Sequence, residues 1–87
     1  MIDMSSVPRL AAGCRLHPTD EILLVPEGTL NLTGPAREIL TRIDGKRTIQ
    51  TIVDDLLLHF EGANGDEVRQ DVLEMLSRMR QRGVIRA

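Results

Sequence analysis

Two histidines, one cysteine and the adjacent carboxylates Asp20-Glu21 and Asp54-Asp55 are side chains with which this sequence could do acid–base, nucleophilic or metal chemistry. Their spacing assembles none of the three. Cys14 stands beside His17 on a short strand and its turn, and His59 belongs to a different element. A Cys–His nucleophile needs hydrogen-bond reach and a third group to orient the base, and no such set can be assigned here. Neither a Cys-x-x-Cys nor a His-Glu-x-x-His spacing occurs, so no zinc ligand set is apparent. Asp20-Glu21 and Asp54-Asp55 are neighbours in sequence only, because adjacent residues on a strand or helix point in different directions. The glycines punctuate element boundaries and build no phosphate-cradling motif. The expectation is a protein that is not an enzyme and uses no metal or cofactor.

The chemistry left is recognition. Arg78, Arg80, Arg82 and Arg86 gather at the end of the chain. They either complement the negative end of a helix dipole, worth a few tenths of a kcal/mol apiece, or form a docking patch for an acidic partner. The preceding helix carries Val68, Val72, Leu73, Met75, Leu76 and Met79. Val68, Val72, Met75 and Met79 fall on one tight stripe, and Leu76 and then Leu73 lie progressively to one side, giving an apolar arc about 160° wide. A small core can use all of it, or part can line a groove, where methionine is favoured because it adapts to a bound peptide. Thr29-Leu30-Asn31-Leu32 alternates polar and apolar, placing Leu30 and Leu32 inward and Asn31 outward. It carries no lysine or proline to block a visiting strand, so as an outer strand it offers an unguarded edge to an extended peptide, or to a second copy of the chain.

The elements that position this edge follow from local signals. Ile22-Leu23-Leu24-Val25 is a strand-length apolar run, and Pro26-Glu27-Gly28 turns it back into Thr29–Leu32. Cys14-Arg15-Leu16 supplies a first strand, so three strands form an antiparallel meander. Thr33-Gly34-Pro35 offers a helix cap and a first-turn proline. A helix with Ala36, Ile39, Leu40 and Ile43 on one face then runs to the stop at Asp44-Gly45. Thr48 caps a second helix with Ile49, Ile52, Val53, Leu56 and Leu57, its apolar set extended by Leu58 and Phe60. Asn64 or Asp66 caps the third, which ends at Gly83. Val84-Ile85 closes the chain as an apolar tail. Residues 1–12 show no period and are expected to be a mobile arm, leaving 13–87 as one α+β domain.

Composition narrows the class further. The sequence has 87 residues, and a domain of that size buries only about 60–65% of its unfolded surface. That leaves little room for both a core and a deep cleft. Phe60 is the sole aromatic residue, so base stacking is poorly served. The net charge of −2 lacks the overall attraction of most non-specific DNA binders. One cysteine, a start without a signal-peptide pattern and no apolar run of spanning length make a cytoplasmic protein with no membrane or nucleic-acid partner the expectation.

Several segments taken in order resemble the pyrroloquinoline quinone (PQQ) biosynthesis protein D family. They are Pro8-Arg9-Leu10, Gly13-Cys14-Arg15-Leu16, Leu23-Leu24-Val25-Pro26-Glu27-Gly28, Leu30-Asn31-Leu32 and Pro35-Ala36-Arg37-Glu38-Ile39-Leu40. Further on come Asp44-Gly45-Lys46-Arg47-Thr48-Ile49, Ile52-Val53 with Leu56, and Asp71-Val72 through Leu76 and Met79 to Gly83-Val84-Ile85. The resemblance runs from Pro8 to Ile85. The L-L-x-P-E-G and D-G-x-R-T segments in that order are its most specific part. It implies a winged-helix-like domain of three strands and three helices that acts as a peptide chaperone. Such a domain takes a ribosomally made precursor peptide as an added strand against its third strand, beside the third helix. It then presents the peptide to a radical S-adenosylmethionine (SAM) enzyme, which joins a glutamate and a tyrosine side chain. On this resemblance peptide binding is expected at Thr29, Leu30, Asn31 and Leu32, with Val68, Val72, Met75 and Met79 on the helix. The rival readings are a winged-helix DNA-binding regulator, which calls for a basic face where this helix carries Glu67, Asp71 and Glu74, and a recognition element of another modified-peptide pathway.

Overall fold

A computed structural model describes residues 2–87. In chain order the elements are β1 (Arg9–Leu10), β2 (Arg15–Leu16), β3 (Ile22–Val25), β4 (Gly28–Asn31), α1 (Ala36–Thr41), α2 (Ile49–His59), α3 (Gly65–Gln81) and β5 (Ile85–Arg86). The expected antiparallel meander is present as β2-β3-β4, and three helices follow it. Its inner face is set by one row of leucines: Leu16 sits opposite Leu23, and Leu23 opposite Leu30. Leu23 at the centre of that row is wholly buried. The β3–β4 turn is Pro26-Glu27, and Gly28 then adopts φ +144°, a conformation that a side chain would oppose.

Helices α1, α2 and α3 cover the leucine face. Ile39 and Leu40, then Ile49, Ile52, Val53 and Leu56, then Val72, Leu76 and Met79 meet Leu23, Leu32 and Ile85 in one aliphatic core. Thr48 caps α2 by accepting from the Thr51 amide at 3.2 Å. Of the two candidate caps for α3 the structure uses Asn64, whose Oδ1 accepts from the Asp66 and Glu67 amides at 2.9 and 3.2 Å. The start of α1 differs from expectation. Thr33 makes no side-chain cap; its carbonyl accepts from the Ala36 amide at 3.2 Å, and Pro35 is the capping residue. The helix also stops at Thr41, so Ile43 packs against the core from the following loop. Leu58 and Phe60 do not extend the core stripe of α2: they are 80% and 45% exposed, because Leu58 falls on the face opposite Ile52 and Leu56 and Phe60 lies beyond the last helical residue, His59.

The largest correction concerns the amino-terminal segment. Met1 lies outside the described residues, but residues 2–12 are tied into the domain and do not hang from it as a free arm. Arg9 and Leu10 pair antiparallel with Arg86 and Ile85, and the Ala11 amide donates to the Val84 carbonyl at 2.9 Å. The supposed tail is therefore the strand β5. The Ser6 and Met4 carbonyls accept from the Ile49 and Gln50 amides, both at 2.9 Å. Helix α2 would otherwise leave those first-turn donors without partners, so docking the segment satisfies them.

Two arginines fasten the sheet and helices. Arg37 of α1 donates to the carbonyls of His17 and Asp20 at 2.8 Å and of Pro18 at 3.0 Å, clasping the β2–β3 loop. Replacing Arg37 by Ala leaves these carbonyls to water and unlatches the loop; a loss of about 1–2 kcal/mol is expected, read as a lower urea midpoint with an unchanged m-value. Arg42, at the end of α1 and almost fully buried, bonds to Asp55 of α2 at 2.6 Å and to the Glu38 carbonyl at 2.7 Å.

Candidate functional site

The antiparallel ladder decides which backbone groups of β4 are free. The Leu32 amide donates to the Glu21 carbonyl at 2.9 Å, and the register continues as Asn31 opposite Ile22, Leu30 opposite Leu23 and Thr29 opposite Leu24. Hydrogen-bonded and non-bonded pairs alternate along such a ladder, so Gly28, Leu30 and Leu32 turn their N–H and C=O toward β3. Thr29 and Asn31 turn theirs away. The sheet ends at β4, and among the described residues no strand pairs with its outer edge. Both Thr29 and Asn31 are exposed.

Beside that edge runs a groove of about 680 Å³ between β4, the β4–α1 loop and α3. Its apolar surface comes from Leu30, Leu32, Ala36 and Ile39 on one wall and Met75 and Met79 on the other. The α3 wall also carries charge: Asp71 and Glu74 toward the start of the helix, Arg78 and Arg82 toward its end. None of these four joins an ion pair among the described residues. The docked amino-terminal segment does not enter this groove.

Of the eight residues singled out from sequence, Leu30, Asn31, Leu32, Met75 and Met79 line the groove together. Leu32 and Met79 are mostly inside the core, so they form its floor, while Asn31 and Met75 remain accessible. Thr29 sits just beyond, on a second hollow bounded by Glu27, Arg82 and Gly83. Val68 and Val72 do not face the main groove; they line a small apolar pit at its far end, and Val72 is almost wholly buried. The groove therefore lies on the Met75 side of the α3 arc, away from Leu73. The eight residues expected from sequence leave out Thr33–Pro35 and Ile39, and the charged side chains Asp71, Glu74, Arg78 and Arg82, weighed there only as a docking patch or as an argument against DNA, prove to stand on the groove wall. Asp71, Glu74, Arg78 and Arg82 recur at three- and four-residue intervals beside Met75, and that spacing was the available signal.

The side chains weighed for catalysis have other work. His17 Nδ1 accepts from the Thr19 and Asp20 amides at 3.2 and 3.0 Å, closing the β2–β3 turn. His59 Nδ1 lies 3.0 Å from the Asp55 carbonyl oxygen at the end of α2. Cys14 is a free, half-buried thiol packed against the core. Among the described residues no group of three His, Cys, Asp or Glu side chains could hold a metal ion, and no helix is long and apolar enough to cross a membrane.

A vacant strand edge alongside an apolar groove, on a winged-helix-like frame, belongs to the class of surface that an extended chain can join by β-augmentation. Comparison with known proteins places it more closely. The model of coenzyme PQQ synthesis protein D (PqqD) matches residues 21–85, and the chain belongs to this family. A PqqA binding protein of Azotobacter vinelandii is 36% identical over 86 residues, covering 94% of this chain and 91% of that protein. Another, from Stutzerimonas stutzeri, is 34% identical over 79 residues, covering 86% and 84%. The fold is similar to a solution NMR structure of the PqqD truncation of Methylobacterium extorquens PqqCD, with TM-score 0.84 and 31% identity over 100% of this chain and 96% of that one. That protein is described as a functional, stand-alone recognition element for ribosomally synthesized and post-translationally modified peptides.

Proposed function

We propose that this protein is a non-enzymatic adaptor of PQQ biosynthesis that holds a PqqA-type precursor peptide as an added strand on β4 and presents it to a radical SAM enzyme in the cytoplasm. The observation that carries the reading is the outward turn of the Thr29 and Asn31 main-chain groups beside the groove. Each offers one donor and one acceptor, and an extended peptide satisfies them in turn. Its alternate side chains then meet Leu30, Leu32, Met75 and Met79, which set register. Val68 and Val72 contribute at the far end. The adaptor raises the effective concentration of peptide at the modifying enzyme. Family membership and the PqqA-binding relatives support the PQQ assignment over a recognition element for another peptide class. Asp71 and Glu74 on the groove wall weigh against a DNA-reading role for α3, since phosphates would be repelled there.

Titration of the 15N-labelled protein with a synthetic PqqA precursor peptide tests the reading. Ordering a flexible peptide costs free energy, so saturable binding with a Kd on the order of 1 μM is expected, with resonance shifts concentrated at Thr29–Leu32 and Met75–Met79. Shifts confined to other surfaces would refute it. A second copy of the chain uses the same edge at high concentration in this proposal, so added peptide should dissolve any dimer seen by sedimentation.

A further inference from the structure

The groove has two chemically different ends, and the pit at one of them has no role in main-chain pairing. Pro35, Ile39, Leu56, Phe60, Val68 and Val72 line an open pit of about 160 Å³ whose surface is almost wholly apolar, with Asp71 as its one charged side chain. A space of about this size with apolar walls is large enough for a benzene-sized group. Phe60, 45% exposed on its rim, is the chain's one aromatic side chain, held in water where burial would favour it by a few kcal/mol. The pit is continuous with the groove: Pro35, Ile39 and Asp71 line both. At the other end Arg78 and Arg82 face the groove without an ion-pair partner among the described residues.

We infer that the pit and the arginine pair read two side chains of the same bound peptide: a large apolar residue that enters the pit and an acidic residue that meets Arg78 and Arg82. The inference rests on the strand-addition reading above and deepens it by stating the occupant's chemistry and spacing. The midpoint of Val68 and Val72 lies ten residues before the midpoint of Arg78 and Arg82, about 15 Å along α3. A strand covers about 3.3 Å per residue and only every second side chain faces the groove, so the apolar and acidic residues stand about four positions apart in the peptide. Asp71, on the pit's own lining, disfavours the acidic residue at that end and so fixes which way the peptide lies.

The test uses the full chain and a fluorescein-labelled PqqA precursor peptide. Ala63 is exposed on the pit rim, so Ala63→Phe plugs the pit without entering the core. It should weaken binding at least tenfold with an unchanged thermal midpoint. In an alanine scan of the peptide, one apolar position should cost at least tenfold with the original protein and nothing further with A63F. Lysine at an acidic position about four residues away should be rescued by Arg78→Glu. Unchanged affinity in A63F, together with loss of binding in Asn31→Pro, overturns the pit and leaves strand addition standing. Full affinity in N31P overturns both. An apolar and an acidic determinant at adjacent positions would also overturn the inference.

Discussion

Proline at Asn31 is expected to abolish tight peptide binding while the domain stays folded, and proline at Leu30, one residue earlier, is expected to unfold it. The difference follows from the ladder alone. Asn31 turns its amide to the free edge, so its removal breaks no bond within the protein, and proline is tolerated on such an edge. A guest strand, however, loses a donor and meets the pyrrolidine ring. An acceptor left unpaired costs about 1–3 kcal/mol, so a loss of about five- to 150-fold in affinity is expected from that term alone. Leu30 donates inward to β3 and packs against the core beside Leu23. Proline there removes a ladder bond in a paired position that does not accommodate it, leaving the Leu23 carbonyl unpaired at about 1–3 kcal/mol and displacing Leu30 from the core, a large share of the roughly 4–13 kcal/mol that holds a domain of this size together. Circular dichroism against temperature separates the two variants, and fluorescence anisotropy with labelled PqqA peptide reads the affinity of N31P. A folded N31P that binds at full affinity would remove the strand-addition account.

What could be read ahead of the structure was whatever is encoded locally. Pro26-Glu27-Gly28 marks the hairpin, and Thr48 and Asn64 cap their helices through oxygens within three residues of the bonded amides. The alternation of Thr29–Leu32 and its lack of a blocking residue are equally local, so the edge was legible. The β1–β5 ladder was not. Two residues cannot show a period of two, and Arg9 and Arg86 meet only after the three helices have folded between them. Phe60 misled for a related reason: hydrophobicity says that a residue would gain from burial, whereas its position after the last turn of α2 keeps it at the rim. Helix α3 shows the limit most clearly. Charges flanking an apolar stripe look alike in sequence whether they border open water or a groove, and only the placement of β4 opposite Met75 distinguishes the two.

That placement requires α1 to be held firmly between the sheet and α2, which leads to the second large effect. Arg42 sits at the end of α1 with about 9% of its surface exposed. Its guanidinium bridges helices by bonding to Asp55 Oδ2 at 2.6 Å and to the Glu38 carboxylate at 3.1 Å. Methionine at Arg42 keeps much of the volume but leaves the Glu38 carbonyl and Asp55 without their donor, and the thermal midpoint is expected to fall by roughly 10 °C. Lysine keeps the charge but cannot make the forked contacts, and should recover only part of the loss. The effect carries a pH signature. The hydrogen bond from Arg42 holds the Asp55 carboxyl below the ordinary carboxylate range. A group with a depressed folded-state pKa adds stability above its unfolded pKa of about 3.9, and that stability is lost as pH falls through the folded value. The midpoint difference between the original protein and Arg42→Met should thus be constant from about pH 5 to 8 and shrink below about pH 4. A difference that persists undiminished as pH falls well below about 4 would show that packing of the Arg42 stem, and not the ion pair, holds α1 in place.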